Sequence, residues 1–192
     1  MKLLVLDNFD SFTHNIVHYA EQLVDEVSVI DHYTIQTSQL SEYDAVILSP
    51  GPGLPKEAGK LMEVLKQAQN LQLPLLGVCL GMQAIAIEYG GELYNQEHVK
   101  HGVSETIQVV DPNSILFQLI PQEFKVGLYH SWAVHVPELS QLKVTAVSES
   151  GVVMAVEDPM RKTFGIQFHP ESVLSEHGLK VFSNFFDFTK RL

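Results

Sequence analysis

One cysteine, one histidine and one glutamate have the types and spacing of a nucleophile, its base and the carboxylate that orients the base. Cys79 is the only cysteine of the 192 residues, and His169 and Glu171 follow ninety positions later in the tripeptide His-Pro-Glu. A thiolate is a strong nucleophile, an imidazole can accept its proton, and a carboxylate can hold the imidazole. These residues predict an enzyme that forms a covalent intermediate on sulfur.

Cys79 lies where a predicted strand turns into a predicted helix. Residues 73–78 are a continuous apolar run, typical of a strand buried on both faces of a parallel sheet, and residues 82–89 favour a helix that stops at Gly90. Gly77 and Gly81 flank the cysteine as in a nucleophile elbow. The helix N-terminus would favour the thiolate and aim the N–H of Leu80 at an oxyanion. An ordinary buried cysteine is the alternative, and the paired glycines argue against it.

The tripeptide places its two ionisable side chains on one side of the chain. Pro170 disfavours a helix at His169, and in an extended segment residues i and i+2 point the same way. Glu171 can therefore accept a proton from one ring nitrogen while the other faces the sulfur. A surface turn is the alternative, but the apolar strand predicted at residues 163–168 would deliver His169 to a sheet end.

A Pro-Gly loop follows the strand predicted at residues 45–48. Pro52 cannot donate a hydrogen bond, so Gly51 and Gly53 carry the usable amides. A rigid turn that presents N–H groups beside the nucleophile would complete an oxyanion hole. A plain tight connection is the alternative.

Several motifs, taken together and in order, strongly resemble class I glutamine amidotransferases. More narrowly, they are similar to the small subunit of anthranilate synthase or aminodeoxychorismate synthase. The motifs occupy residues 7–15, 49–53, 77–83, 129–132 and 165–172. The opening Asp-Ser-Phe-Thr separates the chain from the amidotransferase domains of nucleotide synthesis, but not anthranilate from aminodeoxychorismate synthesis.

The resemblance implies a reaction and a set of site residues. Cys79 would attack the side-chain amide of glutamine, His169 would carry the proton to departing ammonia, and Glu171 would hold His169. Oxyanion and substrate contacts would come from Gly51, Pro52, Gly53, Leu80, Gln83, Ser131 and Trp132. It further implies a partner, the chorismate-binding synthase subunit that receives the ammonia. We expect no cofactor or metal, because no cluster of ligands is evident in the sequence.

Two positions depart from the commoner family pattern. Met82 stands where histidine is frequent, and Trp132 where leucine is frequent. We expect Met82 to alter any partner contact of that histidine, and Trp132 to reshape one pocket wall without removing a backbone contact.

Composition fits one α/β domain over residues 1–192. The chain is 45% hydrophobic and has a net charge of −11, which disfavours nucleic acid as a partner. A single cysteine permits no internal disulfide, and the opening apolar run is too short for a signal peptide, so we expect a cytoplasmic protein without membrane spans.

His14 and His18 lie four apart on a predicted helix with Glu21, and we interpret them as solvated rather than metal-binding.

Strands and helices alternate in the first half of the sequence, which predicts a central, mostly parallel sheet flanked by helices, as in the flavodoxin-like fold of the family. The second half is rich in strand patterns, which predicts antiparallel additions. The predicted strands are 3–6, 27–30, 45–48, 73–78, 104–110, 125–128, 142–148, 152–157 and 163–168; the predicted helices begin near Ser11 and cover 61–68, 82–89 and 179–188.

Two other kinds of protein would share part of this pattern. A free-standing cysteine hydrolase of gamma-glutamyl compounds would share the elbow and the histidine, but would need neither the Asp10-Ser11 opening nor a partner. A binding module with a vestigial triad is hard to reconcile with all three catalytic side chains being present.

Overall fold

A nine-stranded sheet runs through the centre of the molecule, in the strand order β2-β1-β3-β4-β9-β8-β7-β5-β6. The computed structural model describes residues 1–192, apart from the side chain of His98. The strands are β1 Lys2–Asp7, β2 Glu26–Asp31, β3 Ala45–Leu48, β4 Leu75–Val78, β5 Glu92–Val109, β6 Glu123–His135, β7 Lys143–Ser148, β8 Val153–Asp158 and β9 Thr163–Ile166.

Five neighbouring strands, from β2 to β9, pair in parallel. Strands β3, β4 and β9 are buried along their whole length, as expected for strands covered on both faces. Because parallel strands end at the same edge, the residues after β1, β3, β4 and β9 come together there. These residues include Asn8, Ser49, Cys79 and Gln167.

Helices cover both faces of the parallel half. The helices are α1 Thr13–Glu21, α2 Leu61–Asn70, α3 Leu80–Glu88 and α4 Gly178–Thr189. One apolar core joins α1 and α4 to one face, and a second core joins α2 and α3 to the other. Phe182, Phe185 and Phe186 of α4 are fully buried, which confirms that this helix packs tightly. Among the described residues, no helix has the length and apolarity to cross a bilayer.

The antiparallel additions form the other half of the sheet, from β9 to β6. The predicted architecture is therefore confirmed. The extent of β5 is wrong in the sequence prediction, which began at Ser104, because the strand starts at Glu92. Its first part pairs with the end of β6 through backbone hydrogen bonds, with side chains such as Tyr94 and Val99 exposed, so no burial pattern marks it.

Three predicted boundaries need correction near the site. Strand β6 spans Glu123–His135 instead of residues 125–128, and it therefore includes Ser131 and Trp132. Helix α3 begins at Leu80, directly after Cys79, instead of at Met82. Strand β9 ends at Ile166 instead of Phe168, and His169 makes only an isolated antiparallel bridge to Gly127. The cysteine therefore adjoins the helix N-terminus more directly than its sequence predicts.

Candidate active site

Cys79 occupies a strained backbone conformation between β4 and α3. Its φ of 51° and ψ of −102° are uncommon for a residue with a side chain and cost about 1–3 kcal/mol. Backbone bonds on both sides hold it: the Cys79 N–H donates to Ile166 O at 2.8 Å, and Gln83 N–H donates to Cys79 O at 3.0 Å. The sulfur is thus fixed at the carboxyl edge of the sheet, where an elbow was predicted.

Close packing explains the two glycines of the elbow. A Cβ on Gly77 would lie 2.4 Å from the carbonyl carbon of Gly81, and a Cβ on Gly81 would lie 2.3 Å from Leu48 O. Both contacts are with backbone, which cannot move aside as a flexible side chain could. The glycines let α3 approach β3 and β4, and the backbone strain resides on Cys79 itself.

His169 and Glu171 form a buried hydrogen-bonded pair. Nδ1 of His169 lies 2.7 Å from Oε1 of Glu171, and the residues are 1% and 3% exposed. The imidazole also packs against two aromatic rings that contact each other, with centroid distances of 5.0 Å to Phe12 and 4.9 Å to Tyr129. The ring therefore has little freedom to rotate. The structure brings together the two side chains that the His-Pro-Glu spacing predicted to lie side by side.

Charge neighbours keep the His169 ring protonated. Burial disfavours the charged imidazole, but the Cys79 sulfur and the Glu171 carboxylate outweigh burial and raise the pKa of His169 to about 10. Nε2 of His169 is buried and has no hydrogen-bond partner among the described residues. The Cys79 sulfur lies near enough to the ring to favour the imidazolium. The arrangement favours a protonated His169 beside the sulfur at neutral pH.

The Pro-Gly loop lies against the elbow through Gly51. A Cβ on Gly51 would lie 2.7 Å from Cδ2 of Leu80 and 2.6 Å from Cβ of Asn8. Leu80 is the first residue of α3, where the backbone N–H has no acceptor within the helix. Gly51 and Leu80 are therefore neighbours, as an oxyanion hole requires. Pro52 and Gly53 lie on the exposed outer part of the loop.

Asn8 braces this loop, a role that its sequence did not predict. Its Nδ2 donates to Ser49 O at 2.8 Å, and its backbone N–H donates to Ser49 Oγ at 2.9 Å. Oδ1 of Asn8 lies 3.0 Å from Nδ1 of His32, which is also buried. These bonds join the ends of β1 and β3, strands adjacent only in the folded sheet.

Gln83, Ser131 and Trp132 come from α3 and β6. Nε2 of the buried Gln83 donates to Trp132 O at 3.1 Å, while Ser131 and Trp132 are half-buried. Nδ1 of His130 lies 2.8 Å from the same carbonyl. Burial lowers the pKa of His130. Because a carbonyl can only accept, Nδ1 carries a proton and donates it to Trp132 O.

Three side chains considered in the sequence analysis, those of Met82, His14 and His18, lie outside the site itself. Met82 is fully buried, and a Cβ on Gly165 would lie 2.8 Å from its Cγ, so Met82 presents no surface to a partner in this conformation. His14 and His18 are exposed. Across the described part of the chain, no three potential ligands group as a metal site.

Sequence reasoning missed Gln167, whose Nε2 lies 3.6 Å from the Cys79 sulfur. A signal was present, because Gln167 is two residues before His169 in an extended segment, and such residues share a side. The neighbouring Phe12 and Tyr129 carried no comparable signal, since only the tertiary fold brings them to the imidazole.

The fold and the site together define an α/β enzyme with a cysteine on a nucleophile elbow. A comparison with protein families makes the class specific: the family described as glutamine amidotransferase class-I matches residues 4–188. The chain belongs to this family, and the resemblance noted in its sequence is confirmed.

Individual relatives within this family include components of two synthases. A putative anthranilate synthase component II of Haemophilus influenzae is 38% identical over 185 residues, covering 96% of this chain and 95% of the relative. Anthranilate synthase component 2 of Lactococcus lactis is 40% identical, covering 95% and 92%. An aminodeoxychorismate synthase of Streptomyces griseus is 38% identical over all of this chain, which spans 26% of that protein.

A solved structure agrees with the fold. A putative GMP synthase subunit of Thermoplasma acidophilum superposes with a TM-score of 0.89 at 26% identity, covering 100% of this chain and 94% of that one.

Proposed function

We propose that this chain is the glutamine-hydrolysing subunit of anthranilate synthase or aminodeoxychorismate synthase, and that it delivers ammonia to a chorismate-binding subunit. The buried His169–Glu171 pair beside the elbow cysteine is the observation that carries the proposal. The names of the relatives support the choice of synthase. The need for a reduced thiol supports a cytoplasmic location.

Acylation begins with the Cys79 thiolate. The sulfur attacks the side-chain carbonyl carbon of glutamine, forming a C–S bond and an oxyanion. The His169 imidazolium then gives its proton to the amide nitrogen, the C–N bond breaks, and ammonia leaves. The products of this half-reaction are a thioester on Cys79 and a neutral imidazole.

Deacylation uses the same two groups in reverse. The neutral His169 takes a proton from water, and the resulting hydroxide attacks the thioester carbonyl. The C–S bond breaks, glutamate leaves, and the thiolate and imidazolium are restored. Glu171 stabilises the imidazolium at Nδ1 in both half-reactions.

Backbone amides serve the oxyanion and the substrate. The N–H groups of Gly51 and Leu80 are the proposed donors to the developing negative charge. One such hydrogen bond stabilises the transition state by about 3 kcal/mol. Nε2 of Gln83 is engaged inside the protein, so its Oε1 is left to accept from the ammonium group of glutamine. Ser131 and Trp132 would contribute backbone contacts to the bound glutamine. Pro52 and Gly53 would form the outer wall of the glutamine pocket.

Exposed apolar side chains near the site support a partner. Phe9 and Tyr33, just beyond β1 and β2, are 55% and 63% exposed, with rings 5.9 Å apart. Val173, two residues after Glu171, is 98% exposed. A subunit that receives ammonia must dock close to Cys79, and apolar surface at this edge would be buried by such docking.

A Cys79→Ser variant in the complete synthase tests the proposal. We expect loss of glutamine-dependent synthesis by about 10³-fold or more, because the hydroxyl is not ionised, with ammonium-dependent synthesis retained. Chromatographic assay of product with each nitrogen source measures both. Equal loss of the two activities would make Cys79 a structural residue and would refute the proposed mechanism.

A further inference from the structure

We infer that Gln167 donates a hydrogen bond to the Cys79 sulfur and stabilises the thiolate, both before it attacks and when it leaves. This inference rests on the proposed function, in which that thiolate is the nucleophile. It assigns a role to a side chain outside the Cys79, His169 and Glu171 triad.

The contacts around Gln167 are those of a fixed donor. The residue is fully buried in the segment between β9 and His169, and its backbone N–H donates to Met154 O at 2.9 Å. Its Nε2 lies 3.6 Å from the sulfur, a normal distance for an N–H group and a sulfur acceptor. Its Oε1 accepts from Gln83 Nε2 at 3.2 Å. Both ends of the amide are therefore engaged.

The backbone carbonyl of Trp132 fixes which end of each amide faces which neighbour. A carbonyl can only accept, so the Gln83 atom 3.1 Å from it must be the NH₂ group. The same NH₂ group contacts Gln167, so the Gln167 atom there must be the oxygen. The remaining NH₂ of Gln167 then points to the sulfur. The hydrogen-bond network thus determines the orientation, although the two ends of an amide look alike.

This donor does what His169 cannot do. His169 loses its proton when ammonia departs, so it is no longer a cation until water is deprotonated. A side-chain amide keeps its protons at every step, and a hydrogen bond to the charged form favours that form. Gln167 would therefore stabilise the sulfur both as attacking thiolate and as leaving group. Gln83 acts as a positioning residue, because it holds the Gln167 amide in this orientation.

The pH dependence of Cys79 alkylation tests the inference on the full-length chain. Iodoacetamide reacts with the thiolate, and Cys79 is the only cysteine, so the signal is unambiguous. Gln167→Met keeps the size and removes the donor. We expect the midpoint of the rate profile to rise by about one pH unit, giving roughly tenfold slower alkylation below the midpoint. The midpoint belongs to the coupled Cys79 and His169 pair.

Gln69→Met is the matched control. Gln69 is another buried glutamine, with its Nε2 3.5 Å from Thr163 Oγ1 at the opposite end of β9. Its substitution should leave the alkylation midpoint unchanged. Far-UV circular dichroism and thermal melting would establish that each variant is folded, and Gln167→Leu replaces the methionine variant if the latter does not fold.

The outcomes separate the inference from the proposed function, because alkylation requires no glutamine turnover. A raised midpoint for Gln167→Met or Gln167→Leu, with the control unchanged, supports the donor role even if glutamine is not a substrate. A folded variant with an unchanged midpoint overturns the donor role. In that case the proposed glutamine hydrolysis would still stand if the wild-type chain performs it.

Discussion

At the scale of single residues, strain and charge are concentrated on adjoining groups. Cys79 adopts φ 51°, and His169 next to it has its pKa raised to about 10 by the sulfur and Glu171 despite burial. The adjoining aromatic rings of Phe12 and Tyr129 pack against the imidazole and restrict its rotation. Cys79 and His169 are therefore arranged for acylation before any substrate binds. Their reactivity should be lost at pH values where His169 loses its proton.

The pH dependence of glutamine hydrolysis should report this imidazolium. Because the folded pKa of His169 is raised above its ordinary 6.5 to about 10, the charge-pair stabilisation is complete below pH 6.5 and is lost as pH rises through 10. We expect Glu171→Gln to move the basic limb of kcat/KM to lower pH and to reduce kcat/KM about 10²-fold at neutral pH. Steady-state kinetics across pH measures both effects.

Glu176→Gln is the control for this substitution. Glu176 is an exposed carboxylate five residues after Glu171 that accepts from the backbone N–H of Lys125. Its loss should leave the basic limb in place. A basic limb that stays unmoved in Glu171→Gln would mean that the carboxylate does not control the ring.

At the scale of elements, the parallel half of the sheet was predictable and the antiparallel half only in outline. The apolar run before Cys79 and its flanking glycines predicted the elbow because burial on both faces leaves a direct mark on sequence. The first part of β5 is held to β6 by backbone hydrogen bonds, and its side chains, such as Tyr94, are exposed. Backbone pairing of this kind leaves no hydrophobic pattern in the sequence. Contacts such as Asn8 with Ser49 depend on strand order, which one sequence does not encode locally.

The elbow makes a prediction at this scale. Gly81→Ala would place a Cβ 2.3 Å from Leu48 O, so α3 must move away from the strands. We expect a loss of about 3 kcal/mol in the free energy of unfolding, and slower alkylation of Cys79 because its N-terminal helix turn is displaced. Urea unfolding followed by fluorescence of Trp132, the only tryptophan, measures the first effect, and iodoacetamide measures the second.

Gly151→Ala separates local backbone strain from elbow packing. Gly151 has φ 80°, and a Cβ added there would meet no atom within 4 Å, so alanine should cost only about 1 kcal/mol. Alkylation of Cys79 should be unchanged. Equal alkylation rates for Gly81→Ala and the wild type would show that close packing of α3 is dispensable for the sulfur.

At the scale of the whole molecule, the catalytic edge of the sheet carries exposed apolar side chains. Phe9, Tyr33 and Val173 are exposed around the same end of the parallel strands that carries Cys79. The wider surface is acidic, with a net charge of −11. A partner seated on this edge would cover the sulfur and collect the ammonia, while the helix-covered faces remain exposed to solvent.

Docking at this edge should change the rate of glutamine hydrolysis. We expect the chain alone to hydrolyse glutamine slowly, and addition of the synthase subunit with chorismate to accelerate turnover about tenfold or more, since coupling between sites is typically 5–150-fold. Glutamate release measures turnover, with the Cys79→Ser complex as the blank. The product formed with each candidate partner decides between anthranilate and aminodeoxychorismate. Equal turnover with and without either partner would instead favour a free-standing hydrolase of gamma-glutamyl compounds, because it would show that docking is not coupled to catalysis at Cys79.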